Sequence, residues 1–497
     1  MQGDEPGRLA RQVVDRCADC ELCRDLMEDA PCLFFPQLFR LHDREKAENR
    51  KITSAELRGL LDLCNMCGLC SCPDVRTDIM RAKDAFIARD GLSPAIRLLE
   101  DVERVARICG SAPRLANLLL GKEPSASLLK RLLGVHRERV VPEFPREGFA
   151  AWARRRGLHE KHPVSGRKVA YFAGCTARVL FPDVAKAAVE VLERNGVSVY
   201  VPEQKCCGMP SLLEGDRPFT FKVAEFNLRH LDAAVQDGYD IVCSCPTCGY
   251  MLKKVLCEGA FYSEEYRASF KKMMEEARGD TGKAAEWMVR DGAGSNGGAT
   301  PPSPRCGPPQ GFTQYFSAHL QDEGYFRSLN GLKRIAIASH TYDLGEYLSD
   351  LDQAGELDRN MGAVPGRMAY YAPCHLKEQN IGQPWFDLIG LVPGASIEKV
   401  GAPFDCCGMA GVMGFKREFH EVSIAMGSRL MEKIKEKNPD KLVSDCLSCR
   451  IQFNQVLPYS VYHPVEILSA AYGAAAPLPQ RERPSSAAAR RSLPSPR

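Results

Sequence analysis

The sequence lacks the motifs that usually mark a protein with its own organic cofactor. It has no GxGxxG fingerprint for a flavin or nicotinamide, no Walker motif for a nucleotide and no CxxCH site for a covalently bound haem. It has no run of 18 apolar residues, so no transmembrane helix is expected. The first residues, MQGDEPGRLARQ, are charged and contain no apolar stretch of signal-peptide length, so we expect a cytoplasmic protein.

The chain also has little net charge. Its net charge is +3, and residues 473–497, with five arginines and one glutamate, contribute +4, so the remaining residues carry −1. A nearly neutral body has no electrostatic attraction for phosphate backbones, and we expect no nucleic-acid partner. The length of 497 residues and the hydrophobic content of 44% predict a soluble protein of three or four domains.

Cysteine, by contrast, is abundant, with 22 residues. Eighteen of them fall into short motifs, a pattern that favours metal ligation in a reducing compartment over a disulfide framework. The other four are Cys109, Cys243, Cys257 and Cys306. Cys243 is a candidate spare ligand because it lies two residues before a motif cysteine, whereas Cys109 and Cys257 are expected to be buried or free thiols.

Eight cysteines lie in two groups within residues 10–90. Three in each group are separated by two residues, a spacing that lets thiolates surround one iron–sulfur cube. In two-cluster ferredoxins the fourth ligand commonly comes from the other motif. By that rule one [4Fe–4S] cluster has the ligands Cys17, Cys20, Cys23 and Cys72, and the other has Cys64, Cys67, Cys70 and Cys32. The spacings before Cys32 and Cys72, of eight residues and one residue, depart from the usual three. A zinc ribbon is the alternative, with four thiols per metal.

Two later stretches repeat a different pattern. The first contains Cys175, Cys206, Cys207, Cys245 and Cys248, and the second contains Cys374, Cys406, Cys407, Cys446 and Cys449. The intervening residues number 30, 37 and 2 in the first stretch and 31, 38 and 2 in the second, and each doublet reads Cys-Cys-Gly-Met. Two adjacent cysteines do not bind one zinc ion comfortably, so five thiols favour a larger or irregular cluster.

Each repeat also has the pattern of an α/β unit. Strands are predicted at 168–173, 197–201 and 241–243, and again at 368–372, 397–400 and 442–443. In each repeat a cysteine directly follows the first strand, where ligands bind in open α/β sheets, and the final CxxC opens a helix whose N-terminus stabilises thiolate. We therefore predict duplicated domains with mostly parallel sheets.

The predicted fold is α/β plus α+β, divided at the following boundaries. A helical, ferredoxin-like two-cluster domain occupies 10–90, a helical connector 91–165, the first repeat 166–260, a linker 261–331, the second repeat 332–472 and a tail 473–497. The Gly/Pro-rich stretch at 292–311 and the tail are predicted to be disordered. A strand is predicted at 335–339, with a helix after it.

Two local predictions concern the helical regions. Thr53 and Glu56 have the spacing of a capping box before a helix that leads towards Cys64. In the connector, residues 96–108 predict one amphipathic helix, and leucine-rich runs near 115–120 and 128–133 predict shorter ones. These helices either pack on the neighbouring domains or offer a surface to a membrane or a partner protein.

The order of these motifs resembles the CCG (cysteine-rich) domain family of iron–sulfur oxidoreductases. The resemblance covers about residues 10–470, apart from the insert, and its specific motifs are YYAPCH at 370–375, CCGMAGVMGFK at 406–416, DCLSC at 445–449 and HPVEIL at 463–468. Members include heterodisulfide reductase subunits and an iron–sulfur subunit of anaerobic glycerol-3-phosphate dehydrogenase, which this order matches best. In the heterodisulfide reductase relatives such motifs hold non-cubane [4Fe–4S] clusters, and the resemblance implies up to two of them here.

The resemblance to this family, together with the lack of flavin, nicotinamide and haem motifs, implies an iron–sulfur electron-transfer subunit of an anaerobic or respiratory dehydrogenase. Electrons would come from an FAD-containing partner, which carries the site for the organic substrate, and would pass to quinone or another carrier. The implied location is cytoplasmic or peripheral on the cytoplasmic face of the inner membrane. The alternatives are a heterodisulfide-type reductase with catalysis at a CCG cluster, and a structural zinc protein. His375, next to Cys374, either hydrogen-bonds near a cluster, carries protons or is purely structural.

Overall fold

The computed structural model describes residues 4–28, 30–68, 70, 72–121, 125–161, 165–276 and 321–473. The stretch 292–311 and the tail from 474 lie outside these residues, so the disorder predicted for them stays a prediction. The described chain contains a helical N-terminal unit, a helical connector and two four-stranded parallel sheets. The predicted α/β class of the duplicated region is thereby confirmed, and the ferredoxin-like assignment of the N-terminal unit stays a prediction.

The N-terminal unit is built from five helices. They are Glu5–Cys17, Glu21–Glu28, Phe34–Glu48, Ser54–Leu61 and Pro73–Asp90. The predicted capping box is confirmed, because Thr53 Oγ1 accepts from the Glu56 N–H at 3.3 Å and the Thr53 N–H donates to the Glu56 carboxylate at 2.9 Å. The helix that follows ends at Leu61, so Cys64 lies in the loop beyond it, where its side chain is not fixed by the helix.

The connector is a series of short helices. They are Pro94–Glu100, Val102–Gly110, Pro113–Gly121, Ser125–Leu132 and Phe149–Arg155. The single helix predicted at 96–108 is wrong, because the carboxylate of Asp101 accepts from the Arg104 N–H at 3.0 Å and starts a second helix. In the part of the chain that the structure describes, no helix is both long enough and apolar enough to cross a bilayer.

The first sheet has the strand order β2-β1-β3-β4, and all neighbours are parallel. Its strands are β1 (Lys168–Phe172), β2 (Ser198–Tyr200), β3 (Asp240–Cys243) and β4 (Thr341–Asp343). Its α-helices are Gly174–Val179, Pro182–Arg194, Met209–Glu214, Arg217–Gln236, Pro246–Tyr250, Glu264–Glu276, Gly331–Ser339 and Leu344–Gln353. A π-helical turn at Met251–Val255 and a 3-10 turn at Ala260–Tyr262 follow the CxxC helix. The first three strands lie where the sequence predicts them.

The fourth strand corrects two predictions. Residues 335–339 alternate Ile and Ala, which favours a strand, but they lie in the helix Gly331–Ser339, which Asn330 caps by accepting from the Lys333 N–H at 3.1 Å. The strand comes just afterwards and pairs with β3. Residues 341–343 therefore complete the first sheet, although the sequence assigns 332–472 to the second repeat.

The second sheet repeats the first, with the strand order β6-β5-β7-β8 and parallel neighbours throughout. Its strands are β5 (Gly366–Tyr370), β6 (Ala395–Lys399), β7 (Lys441–Val443) and β8 (Ser460–Tyr462). Its helices are Cys374–Lys377, Pro384–Gly390, His420–Lys437, Leu447–Val456 and Pro464–Ala471, with 3-10 turns at Met413–Phe415 and Arg417–Phe419. The predicted duplication is confirmed by this shared topology.

The two sheets pack against each other through a common apolar core. Tyr171 and Leu348 of the first repeat lie in the same buried cluster as Trp385 and Leu468 of the second. A second cluster joins the helices of the N-terminal unit to the other face of the first sheet. Burial of these apolar side chains stabilises the contacts between the N-terminal unit and the two sheets. The cysteine-bearing loops of these three units are therefore held in fixed positions.

Candidate metal centres

One group of four thiols lies where the first and last helices of the N-terminal unit meet. Cys17 is the last residue of the helix Glu5–Cys17, and Cys72 directly precedes the helix Pro73–Asp90. Burial, with added repulsion from the thiols of Cys23, Cys72 and Cys20, raises the pKa of Cys17 to about 12. The structure thus brings together the four cysteines that the sequence assigns to one cluster.

The second N-terminal group lines a small enclosed cavity. Cys32, Cys64, Cys67 and Cys70 all face it, together with Met66 and Arg76. Met66 and Gly68 have φ angles of 51° and 86°, which turn the loop around the cavity. Burial raises the pKa of Cys32 to about 11 and that of Cys70 above its usual range, and the thiols of Cys64, Cys32 and Cys17 add to the effect at Cys70. The influence of Cys17 on Cys70 shows that the two N-terminal groups are neighbours.

In the first repeat, the five motif cysteines form one buried group. The Sγ atoms of Cys175 and Cys206 are 3.3 Å apart, and Cys207 and Cys245 each contact Cys248. Cys245 directly precedes the short helix Pro246–Tyr250, and Cys175 lies just after β1. A Cβ on Gly174 would lie 2.7 Å from the Cys248 Sγ, so this position requires glycine.

The second repeat gathers its five cysteines in the same way. Cys407 contacts Cys406 and Cys449, and burial with repulsion from the Cys407 and Cys446 thiols raises the pKa of Cys374 to about 12. The Gly408 N–H donates to Cys406 Sγ at 3.3 Å. Cys374 and Cys406 are partly exposed here, whereas every motif cysteine of the first repeat is buried.

Both repeats match a known family. The model described as a cysteine-rich domain (CCG) matches residues 169–253 and 368–454. The protein carries two CCG domains. Over 397 residues, 79% of this chain and 81% of the relative, the protein is 23% identical to a subunit of the anaerobic glycerol-3-phosphate dehydrogenase of Escherichia coli strain K12.

Two further relatives share the CCG repeats. A subunit of the fumarate reductase (CoM/CoB) of Methanothermobacter marburgensis is 23% identical over 62% of this chain, which covers 47% of the relative. Lactate utilization protein A of Geobacillus sp. strain WCH70 is 23% identical over 61% of this chain and 99% of the relative. Of these three, the similarity to the glycerol-3-phosphate dehydrogenase subunit extends over most of both chains.

The grouped thiols fit iron–sulfur clusters by their chemistry. A buried thiol with a raised pKa is protonated at neutral pH, and a thiolate there needs a compensating positive charge. Bound iron supplies that charge. Four sulfur donors in each N-terminal group match a cubane cluster, and five in each CCG domain exceed the four that zinc takes.

Two buried basic residues near these groups could not be predicted from the sequence. Lys83 Nζ donates to the carbonyl of Cys64 at 3.0 Å and to that of Leu213 at 2.7 Å. Lys83 therefore connects the loop that contains Cys64 to the helix Met209–Glu214, which follows the cysteine doublet of the first repeat. In the sequence it is an ordinary lysine within a helix, and no local signal marks it.

Arg139 is a second buried basic residue, and it lies near the cysteine doublet of the second CCG group. Its Nη1 donates to Gln452 Oε1 at 2.6 Å and its Nη2 to Ser423 Oγ at 3.3 Å. Nη1 is also 3.9 Å from the sulfur of Met409, two residues after the doublet. Burial lowers the pKa of Arg139 to about 10, so the guanidinium stays charged at neutral pH.

The remaining cysteines differ in position. Cys243 is fully buried at the end of β3 beside Cys245, and its prediction as a spare ligand stays open. Cys109 lies on the connector. Cys257 is buried, as expected, but it is disulfide-bonded, so the expectation of a free thiol there is wrong. Cys306 lies outside the described residues.

Proposed function

We propose that this protein is the iron–sulfur electron-transfer subunit of an anaerobic or respiratory dehydrogenase. It takes electrons from an FAD-containing partner and passes them to quinone or another carrier. The observation that carries the proposal is the continuity of the four cysteine groups. The two N-terminal groups are neighbours, and the second of them contacts both CCG domains through Lys83 and His375. The name of the Escherichia coli relative, a dehydrogenase subunit, supports this reading.

The chain contributes burial and spacing to such a relay. Iron–sulfur clusters, when bound, supply one-electron transfer at potentials set by burial and by hydrogen bonds to the sulfurs. The glycines beside the cysteines let the backbone approach, and the Gly408 N–H already donates to a cysteine sulfur. We assign no residue to chemistry on an organic substrate, since that chemistry belongs to the partner.

A peripheral membrane contact through the connector is part of the proposal. The helices Val102–Gly110 and Pro113–Gly121 contain no fully buried residue. The exposed apolar side chains of the connector include Ile108, Leu115, Leu118, Leu119, Leu128 and Leu132. Residues 104–132 contain six basic residues and one acidic residue. An apolar face bordered by basic charge fits an anionic bilayer surface.

The experiment that tests the relay uses anaerobically purified protein. Reduced viologen serves as the electron donor and a soluble menaquinone analogue as the acceptor. We expect catalytic reduction of the quinone and bleaching of iron–sulfur absorbance on addition of the viologen. Protein that contains iron and sulfide, but whose reduced centres are not reoxidised by quinone or by any other carrier tested, would contradict the relay.

Disulfide reduction is the second candidate, and one observation favours it. The residues Cys374 and Cys406 of the second CCG domain are less buried than their counterparts Cys175 and Cys206, which favours access from outside to that group. Two electrons and two protons would split a disulfide into two thiols. Reduced viologen with glutathione disulfide or the CoM–CoB disulfide distinguishes the candidates, because steady release of thiol supports catalysis here and its absence leaves only the relay.

A further inference from the structure

His375 contacts the loops of three cysteine groups at once. It directly follows Cys374, which belongs to the second CCG group. Its Nε2 is 3.0 Å from the carbonyl oxygen of Met66, between Cys64 and Cys67. Its Nδ1 is 2.9 Å from Oγ1 of Thr247, between Cys245 and Cys248. One side chain therefore links an N-terminal group to both CCG groups.

The partners fix the tautomer of this imidazole. A carbonyl oxygen can only accept, so Nε2 carries the proton and donates to Met66. In the neutral ring Nδ1 then accepts from the hydroxyl of Thr247. Both ring nitrogens are satisfied, and the ring also stacks on Tyr250 with centroids 4.8 Å apart. The side chain is thus held on three sides in a single orientation.

Close to His375, an ion pair with an added hydrogen bond connects the N-terminal unit to both CCG domains. Arg76 Nη1 donates to the Glu378 carboxylate and to the Tyr250 hydroxyl, each at 2.8 Å. Arg76 comes from the N-terminal unit, Tyr250 from the first CCG domain and Glu378 from the second. A Cβ on Gly68 would lie 2.0 Å from the Glu378 Cδ, so the loop around Cys67 is pressed against the second domain.

Among the described residues, the first CCG domain has no counterpart to this arrangement. The residue that follows Cys175 is Thr176, and its hydroxyl contacts the Cys175 sulfur of its own group at 3.8 Å. Of the two CCG domains, only the second therefore has a histidine at this position, where it contacts the N-terminal unit. A linear arrangement of centres needs one contact per step, whereas His375, itself in the second CCG domain, contacts both the N-terminal unit and the first CCG domain.

We propose that His375 is a positioning residue at a branch point, which holds the loop of Cys64 and Cys67 against both CCG groups so that each exchanges electrons directly with the N-terminal centre. This inference rests on the proposed relay. With iron–sulfur clusters bound by these cysteines, one electron would pass from the N-terminal centre to one CCG centre, so that the first is oxidised as the second is reduced. The alternative is a linear path, in which one CCG centre is reached only through the other.

The test removes one CCG centre and follows the other. Photoreduction of the anaerobic protein followed by freeze-quench paramagnetic resonance gives the rate at which each centre is reduced. In Cys248→Ser, which removes a ligand from the first centre, we expect the second centre to be reduced within about twofold of the normal rate. In Cys449→Ser we expect the same for the first centre. A drop of tenfold or more in either remaining centre would establish a linear path and overturn the branch.

Milder variants distinguish transfer to the first CCG centre from transfer to the second, without removing a cysteine ligand. Thr247→Val keeps the shape but loses the hydroxyl, which bonds both His375 and Cys245, and should slow the first CCG centre severalfold while leaving the second unchanged. His375→Leu should slow both centres. His375→Gln, whose amide can still donate to the Met66 carbonyl, should restore most of the rate to the second centre and less of it to the first.

The control is His159→Gln, which removes a histidine hydrogen-bonded to a main-chain carbonyl at 2.7 Å, away from the cysteine groups. It should leave every rate unchanged. Equal rates in His375→Leu and the unaltered protein, with equal iron content, would overturn the inference while leaving the relay intact. Absence of iron in the unaltered protein would instead overturn the relay itself.

Discussion

The two CCG domains share a fold and a ligand pattern but differ in what surrounds the ligands. In the first, all five motif cysteines are buried, whereas in the second Cys374 and Cys406 are partly exposed. The sheets have the same strand order, and each CxxC follows the third strand. Duplication therefore preserved the scaffold that gathers the thiols and changed the residues around it.

The residues next to the two CxxC motifs also differ. Gly249 follows the CxxC of the first domain, and Gln379 fills the space beside it, donating to the Pro246 carbonyl at 3.0 Å. Arg450 follows the CxxC of the second domain, where the residue that corresponds to Gln379 is Leu180. A cavity of about 380 Å³ opens there between the two domains. Its lining includes Leu180, Phe181, Lys186, Arg450 and Glu466.

This contrast indicates separate tasks for the two groups. The first CCG group is enclosed by the rest of the chain, which suits transfer within the protein. In the second, the residues Cys374 and Cys406 are less buried than their counterparts in the first, which suits exchange with a molecule from outside. The predictions below test whether this asymmetry is real, beginning with the largest expected effect.

Removal of one doublet cysteine should abolish one CCG centre and spare the other. Cys207→Ser should lose the first centre and Cys407→Ser the second, because each thiol contacts two others of its own group. Iron analysis and paramagnetic resonance would show one centre missing and the N-terminal signals unchanged. Unaltered iron content in both variants would mean that these cysteines are not ligands.

The glycine after each doublet should tolerate alanine unequally. Both Gly208 and Gly408 have positive φ, of 95° and 83°, so alanine costs about 1–2 kcal/mol of backbone strain at either position. At Gly408 the new Cβ would also lie 2.1 Å from the Ser423 carbonyl oxygen, whereas at Gly208 the nearest atom is a Val223 methyl at 3.2 Å. Thermal unfolding should therefore show a larger loss of stability for Gly408→Ala. Equal losses would show that the two loops are not distinguished by this contact.

Exposure predicts the order in which iron is lost. A chelator that enters from solvent should remove iron from the second CCG group several times faster than from the first, because the residues Cys374 and Cys406 are less buried than Cys175 and Cys206. The decay of the two paramagnetic signals under bathophenanthroline gives the rates. Faster loss from the first group would reverse the assignment of enclosed and open sites.

The smallest effect concerns the side chain that closes the first site. Gln379→Ala should open a space beside Gly249 and accelerate chelation of the first group towards that of the second. Leu391→Ala, a change at an exposed side chain outside both sites, serves as the control. No change in the first group would show that Gln379 does not restrict access.

The regular parts of the site could be predicted from sequence because they depend on local spacing. The x2 spacing around Cys20 and Cys67 and the CxxC after β3 and β7 bring ligands together within one turn or loop. The pairing of Cys32 with the second N-terminal group rested on ferredoxin topology, and the structure places these residues around one cavity.

The rest depends on contacts between distant parts of the chain. His375 meets Met66 across 309 residues, and Arg139 meets Gln452 across 313, and neither contact has a local signature. The misplaced strand at 335–339 has a similar cause, because alternation of Ile and Ala does not reveal that Asn330 caps a helix. The sequence does not reveal that the helix ends at Glu100 and a new one begins after Asp101, because an aspartate within a helical apolar pattern is also typical of an exposed position on one continuous helix.

The most direct measurement is the iron and acid-labile sulfide content of anaerobically purified protein. The account predicts both elements in near-equal amounts, enough for two centres in the N-terminal unit and one in each CCG domain. Zinc without iron, or no iron after reconstitution with iron and sulfide, would contradict it.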